Sequence, residues 1–314
     1  MRAYSFDSLG LLIGPDYKEE IVLNPYVFMT DSDSDLPFRY VDELDLSMVY
    51  MPYMVDGKEY MDDLGRNGAQ KEYFDHMRAG AAPSTSLLPM GAYLEYFEPC
   101  FKAGKDILFV AFSSQLSGTI NNVYAARDEL LEKHPERKMI VVDTLSISAP
   151  QAILILKAHE MYRAGKPMEE VAQWLEENKL RAQAWFTVDD LKYLRRGGRI
   201  SAVAAIAGTM LDLKPIITET REGKLVSSDK VRGRKSALRH IADKTAENID
   251  DPANAMPVIM HADAPEDAAR LEKLLRERVP ELGEIQIWYV GPVIGAHCGP
   301  GTVAMCYFGK ERPL

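Results

Sequence analysis

The chain has 314 residues, 46% hydrophobic and 27% charged, which is the composition of a protein with a sizeable core and length enough for one large domain or two ordinary ones. A formal net charge of −10 argues against general binding to nucleic acid or to an anionic membrane surface, and no run approaches the roughly 18 consecutive apolar residues that a membrane helix needs. Cys100, Cys298 and Cys306 are too few and too widely spaced for a disulfide framework or a C-x-x-C pair, and the N-terminus lacks the pattern of a secretory leader, so a cytoplasmic protein with free thiols is expected.

Residues 1–25 carry no clear periodicity and are set apart as an N-terminal extension. "NPYVFMTDSDSDLP" then predicts a buried strand, Tyr26 to Thr30, ending in a polar turn. "LSMVYMPYMVDGKEY" predicts a strand, a turn at Asp56-Gly57 and a short return. "KEYFDHMRAG" and "PMGAYLEYFEPCFKAG" predict helices closing at Gly80 and Gly104. "KDILFVAF" and "RKMIVVDT" predict strands, with "INNVYAARDELLEKH" as the helix between them. "APQAILILKAHEMYRAG" and "PMEEVAQWLEENK" predict two further helices. Strands alternating with helices, and strands as uniformly apolar as Ile107 to Ala111 and Ile140 to Val142, predict an α/β domain with a parallel sheet over residues 26–180.

The character changes after Lys179. "AQAWFTVDDLKYL" predicts a strand and a helical turn, and "RISAVAAIAGTML" a helix of small residues. "KPIITETREGKLVSSDKV" predicts a hairpin about "REGK". Helices follow at "GRKSALRHIADKTAENI" and "PEDAARLEKLLRERV", and strands at "PVIMHAD", "IQIWYVG" and "GTVAMCYFG". This mixture predicts an α+β domain with a largely antiparallel sheet over residues 181–314. The linker is short, so the two domains are expected to share an interface, a preferred place for a ligand.

Four stretches carry candidate chemistry. In "FSSQLSGTINN" a buried strand ends in hydroxyls at a helix start, where free backbone N–H groups and the helix dipole favour an anion. Ser113, Ser114, Ser117 and Thr119 add neutral donors. Capping the helix needs only one of them, and Ser117 suits that task. "APSTSLLP" places Ser84, Thr85 and Ser86 in a loop that alone reads as an ordinary capping loop. "GPVIGAHCGPGT" reads as a glycine-rich loop carrying His297, with no second ligand at metal-binding spacing. "RRGGR" and "KVRGRK" supply arginine forks suited to phosphate or carboxylate. These last lie within Lys192 to His240, which holds 12 Lys/Arg against 4 Asp/Glu in an otherwise acidic chain. Two readings of that segment stand: a face for an anion or acidic partner, or solvated charges paired elsewhere. No G-x-x-x-x-G-K-[ST], G-x-S-x-G or early G-x-G-x-x-G motif is present.

Together "TDSDSDLP", "TS" within "STSLLP", "SSQLSGT", "VDDLKYLRRGGRIS", "KPIIT", "KVRGRKSAL", "HADAPEDA" and "GPVIGAHCGPG" resemble the DegV family, in its order, over about Tyr26 to Lys310. The resemblance implies a two-domain carrier that holds one long-chain fatty acid in a buried tunnel. It is not itself an enzyme and needs no cofactor or metal. An ATP-dependent fatty-acid kinase subunit would phosphorylate the bound carboxylate, and an acyltransferase that uses acyl-phosphate would lead on to phospholipid synthesis. Carried over position by position, the carboxylate would be held by Thr85, Ser86, Ser113, Ser114 and His297, and the kinase met by Arg199 and Arg232. This chain departs from the family's pattern at Leu87-Leu88-Pro89, at Cys298 and in its N-terminal extension. The competing reading is a hydrolase or acyltransferase with Ser113, Ser114 or Cys298 as nucleophile and His297 as base, for which the sequence offers no orienting third group. A basic-face nucleic-acid binder is disfavoured by the overall charge.

Overall fold

The computed structural model describes residues 25–199 and 212–314, together with the backbone of a short hairpin, β1 (Ser5–Phe6) with β2 (Leu12–Ile13). The helix expected at "RISAVAAIAGTML" lies almost wholly outside the described residues. The apolar run after Pro25 forms β3 (Tyr26–Asp31), and a 3-10 turn at Ser32–Ser34 leads to α1 (Phe38–Leu44) and β4 (Ser47–Val49). β5 (Pro52–Val55) and β6 (Lys58–Met61) flank Asp56-Gly57, both at positive φ, in the two-residue turn whose twist matches that of a hairpin. Then come α2 (Gln70–Arg78), β7 (Ser84–Thr85), α3 (Met90–Lys102), β8 (Asp106–Ala111), α4 (Thr119–Lys133), β9 (Met139–Asp143), α5 (Ala149–Arg163) and α6 (Met168–Asn178).

β4, β3, β8 and β9 form, in that order, a four-stranded sheet that is parallel throughout. α3 and α4 cover one face, where Phe97, Phe101, Val123 and Leu130 pack on Ile107 and Phe109. α5 runs against β3 on one side and against the second sheet on the other. This explains why its residues Ala149 to Leu156 are all buried: a helix that is apolar all round needs cover all round.

The second half contains β10 (Ala182–Thr187), α7 (Lys192–Arg196), β11 (Leu213–Glu219), β12 (Leu225–Arg232), α8 (Arg234–Asn248), β13 (Val258–His261), α9 (Pro265–Arg278), β14 (Gln286–Tyr289), α10 (Pro292–Cys298) and β15 (Val303–Phe308). Its six-stranded sheet has the order β12-β11-β10-β15-β13-β14 and is antiparallel except for the β13–β14 pair. The architecture is therefore the expected two-domain α/β one, a parallel sheet followed by a largely antiparallel one. Among the described residues no helix is long and apolar enough to cross a membrane.

Two elements differ from the sequence-based expectation. The "STS" loop contributes β7, which pairs antiparallel with β5 through Tyr53 and Thr85. The glycine-rich "GPVIGAHCG" is a helix rather than a loop. Pro292 stands in its first turn, where a missing N–H costs nothing, and Gly299, at φ +78, ends it. The residues that resembled loop markers are this helix's start and stop.

Period-two alternation gives the second sheet two unlike faces. Trp185, Ile259, Met305 and Tyr307 point to α8 and α9 and fill that side. Ala184, Phe186, Met260, Ala304 and Cys306 point the other way, toward the parallel sheet. On that face Ala184 pairs with Cys306, and Ala304 pairs with both Phe186 and Met260. Three small side chains among five leave the two sheets incompletely filled.

Candidate ligand cavity and its polar end

A cavity of about 280 Å³ lies between the sheets. Its apolar walls come from Ala184, Phe186, Met260, Ala304 and Cys306 of the second sheet, from Val293 and Ile294 of α10, and from Met51, Phe112 and Ile147 of the first half. At its polar end stand Thr85, Ser86, Ser117, Arg199 and His297. Leu87, 50% exposed, lines the cavity beside them, whereas Leu88 is buried in the core under α3. Of the Leu pair that departs from the family pattern, only the first touches the cavity.

The polar end is assembled from four distant segments. β7 holds Thr85 at the edge of its small sheet, and the last turn of α10 brings His297 to it, with Thr85 Oγ1 2.8 Å from His297 Nε2. The turn after α7 lies against α10. A Cβ added to Gly197 would stand 2.2 Å from His297 Nδ1, so only a glycine lets the imidazole sit there. Burial first, then Arg199 and Arg196, pushes the His297 pKa down to about 4, so the ring is neutral near pH 7. Its Nδ1 has no hydrogen-bond partner.

The serines divide differently from the expectation. Ser113 is buried, and its hydroxyl donates to the Gly223 carbonyl at 2.9 Å. Ser114 accepts from the side-chain amide of Gln115 at 3.2 Å. Neither lines the cavity. Ser117 does, and it also accepts the Thr119 N–H at 3.3 Å in the turn before α4, whose N-cap residue is Gly118 and not the expected Ser117; this uses a lone pair and keeps the Ser117 O–H free to donate. The backbone explains the split. Ser113 continues inward from β8, its N–H donating to the Ser146 carbonyl, while Ser117 stands where the chain turns into the helix. The signal for Ser117 was present in the sequence, since the helix start was the reason to expect an anion there.

Arg199 is half-buried in the cavity wall rather than on an outer surface. Its Nε and Nη2 donate to the Leu116 carbonyl at 3.2 and 2.9 Å, tying it to the serine loop. Arg232 is exposed at the end of β12. Within the basic segment, Lys192, Lys214, Arg221 and Arg234 pair with Asp190, Asp189, Glu311 and Asp267. Arg195, Lys235 and Arg239 are exposed like Arg232.

The nucleophile–base arrangement of the competing hydrolase reading does not form. His297 bonds to Thr85 rather than to Ser113, Ser114 or Cys298, and burial pushes the Cys298 thiol up to about 12, away from a reactive thiolate. Among the described residues no group of three or more His, Cys, Asp or Glu side chains could hold a metal ion.

The fold and cavity define a two-domain α/β protein with a mostly apolar chamber between its sheets and a polar end of hydroxyls, a neutral imidazole and one guanidinium. The sequence profile of the DegV family, a family of uncharacterised proteins, matches residues 27–310. The chain is 38% identical over 290 residues to a DegV domain-containing protein of Clostridium perfringens, covering 92% of this chain and 99% of that one. Among solved structures it is similar to a DegV lipid-binding protein from Thermotoga maritima (27% identity, 91% of this chain and 99% of that one, TM-score 0.78). It is also similar to a fatty-acid-binding DegV family protein from Thermus thermophilus (28%, 90% and 99%, TM-score 0.80) and to one from Streptococcus agalactiae (28%, 91% and 99%, TM-score 0.80). The chain belongs to the DegV family.

Proposed function

We propose that the protein carries one long-chain fatty acid, its tail in the apolar cavity and its carboxylate at Thr85, Ser86, Ser117 and His297, with Arg199 as the adjacent cation. The observation that carries this reading is the Thr85–His297 pair at one end of a mostly apolar chamber. A carboxylate only accepts hydrogen bonds. For Thr85 to donate to it, Thr85 must accept from His297 Nε2–H, and a neutral imidazole can supply that proton. Each buried methylene of the tail would contribute about 0.8 kcal/mol before ordering costs. The named solved relatives, described as lipid- or fatty-acid-binding, support the same class of ligand.

The carrier would present this carboxylate to a separate ATP-dependent kinase subunit, which forms the acyl-phosphate that an acyltransferase consumes. The family resemblance motivates this step. The exposed Arg232, Lys235 and Arg239 offer a surface for such a partner. In this reading Ser113 and Ser114 support the fold around the site, and Arg199 serves the head group more directly than it serves docking.

Native mass spectrometry of the purified protein should reveal one co-purified fatty acid. Ligand-free protein that refuses fatty acids in a binding assay would overturn the proposal. For the kinase step, Arg232→Ala should retain fatty-acid binding and slow acyl-phosphate formation with a fatty-acid kinase subunit; equal loss of both would remove the docking role.

A further inference from the structure

β3 ends at Asp31, and the 3-10 turn after it carries Asp33 and closes on Asp35; all three are buried, and Asp62 is buried close by. Two of the three are fully engaged. Asp31 accepts the Phe112 N–H and the Gln151 side-chain amide, each at 3.0 Å. Asp35 accepts the Gly291 N–H at 2.9 Å and the Ser148 hydroxyl at 2.5 Å. Asp62 accepts the Leu64 N–H at 2.9 Å through Oδ1; its Oδ2 is as unmet as Asp33 Oδ1, but Asp62 does not line the cavity.

Asp33 stands apart. It is 3% exposed, its Oδ1 has no hydrogen-bond partner, and it is the member of this group that lines the cavity. Buried polar atoms are nearly always satisfied, and leaving one unmet costs on the order of 1–3 kcal/mol. Most other lining residues are apolar and cannot supply a partner, and the nearby Ser148 hydroxyl is already committed to Asp35. Burial, followed by Asp31, Asp62 and Asp35, holds the Asp33 pKa well above the usual carboxylate range, and Arg199 offsets this only in part. A carboxyl group that keeps its proton offers one O–H donor and one carbonyl acceptor.

We propose that Asp33 is a ligand-binding residue of this cavity, its carboxyl group hydrogen-bonding an oxygen atom of the bound acyl ligand. This rests on the fatty-acid reading above and extends it, because it assigns a second polar contact beyond the hydroxyl and imidazole cluster. The oxygen has two sources. It is either the ligand's own carboxylate, sharing the Asp33 proton, or a hydroxyl or oxo group carried along the chain.

The test is the affinity of the full-length protein for hexadecanoic acid and for hydroxyhexadecanoic acids substituted at successive positions, in the wild type, Asp33→Leu and Asp33→Asn. The leucine variant keeps the branched shape at a larger volume and removes both hydrogen-bonding functions, so binding that uses Asp33 should weaken about tenfold. If the partner is the head group, every acid loses affinity alike. If it is a chain oxygen, the wild type prefers one hydroxy acid, Asp33→Leu loses that preference, and the plain acid binds as before. Asp33→Asn, which retains a donor and an acceptor, should keep most of the wild-type pattern. Thermal unfolding of ligand-free protein provides a second readout: Asp33→Leu should melt at or above the wild-type temperature, since it removes an unmet polar group. Unchanged affinities for all acids in Asp33→Leu, or a lower melting temperature with unchanged affinities, overturn the inference. A wild type that binds none of the acids refutes the fatty-acid reading itself; a wild type that binds them while Asp33→Leu matches it refutes this inference alone.

Discussion

Thr85 Oγ1 and His297 Nε2, 212 residues apart in sequence, stand 2.8 Å apart across the mouth of the cavity. One comes from a two-residue strand beside the parallel sheet, the other from the short helix between the last strands of the second sheet. Their bond therefore ties the two halves together and sets the direction of the hydroxyl proton.

Thr85→Val keeps the side chain's shape and deletes only that oxygen. It leaves a buried imidazole with neither ring nitrogen partnered. The expected results are a stability loss of about 1–3 kcal/mol and a loss of fatty-acid affinity of about tenfold or more. Thermal denaturation and titration calorimetry read the two separately. Wild-type affinity in this variant would remove Thr85 from the head-group site.

The serines give a paired test. Ser113→Ala deletes the hydrogen bond to the Gly223 carbonyl and should cost about 1 kcal/mol of stability with fatty-acid affinity little changed. Ser117→Ala should lower affinity about tenfold by removing a donor from the cavity. Its effect on stability should be smaller, since the bond it accepts from Thr119 is long at 3.3 Å. The opposite pattern would restore Ser113 as the head-group ligand.

This pair also marks how far the sequence could be read. The strands and helices were legible because burial wrote itself into their periodicity, and the hydroxyl-bearing turn that reaches the cavity was legible because a strand end meets a helix start near Ser117. Which hydroxyl faces the cavity was not, because that depends on how the loop folds back onto Ser146 and Gly223, contacts made 33 and 110 residues away from Ser113. The helix carrying His297 was missed for a related reason: Gly and Pro signal a break in the chain but do not say whether they bound a helix or fill a loop. Arg199 read as a surface cation, since nothing local to "RRGGR" reveals that the Leu116 carbonyl draws its guanidinium into the wall.

The small residues on the cavity face of the second sheet predict a steric control on chain length. Ala304 lines the cavity and pairs with Phe186 and Met260. Ala304→Leu should exclude about two methylenes of ligand, worth about 1.6 kcal/mol or roughly tenfold in affinity for acids that fill the cavity. Shorter acids should lose less, so the ratio of affinities is the diagnostic measurement. Equal loss for long and short acids would show that the tail does not reach this face.

Arg312 and Glu219 supply the last test. Arg312, almost fully buried, donates to the carbonyls of Ala182, Leu145 and Thr220 and to the Ser146 hydroxyl, and stands 3.4 Å from Glu219. Glu219 accepts the Ile147 N–H at 3.1 Å, so the pair fixes the loop that carries Ile147 and Ser148 into the cavity wall. Burial pushes the Glu219 pKa up to about 7 despite Arg312. A carboxyl group whose folded pKa is raised contributes stability that is complete below its unfolded value and is lost as pH rises through the folded one. In Arg312→Ala the attraction that restrains this rise is gone, so Glu219 ionises later still. The variant should be destabilised by about 3–5 kcal/mol near neutral pH, as when one partner of a buried ion pair is removed. The destabilisation relative to wild type should be smaller at pH 5, where Glu219 is protonated in both proteins, and larger at pH 8. Adding Glu219→Gln to Arg312→Ala should remove that pH-dependent increment while leaving the cost of the lost carbonyl contacts. Denaturant unfolding at pH 5 and pH 8 measures it, and an increment that is the same at both values would mean that Glu219 does not titrate against Arg312.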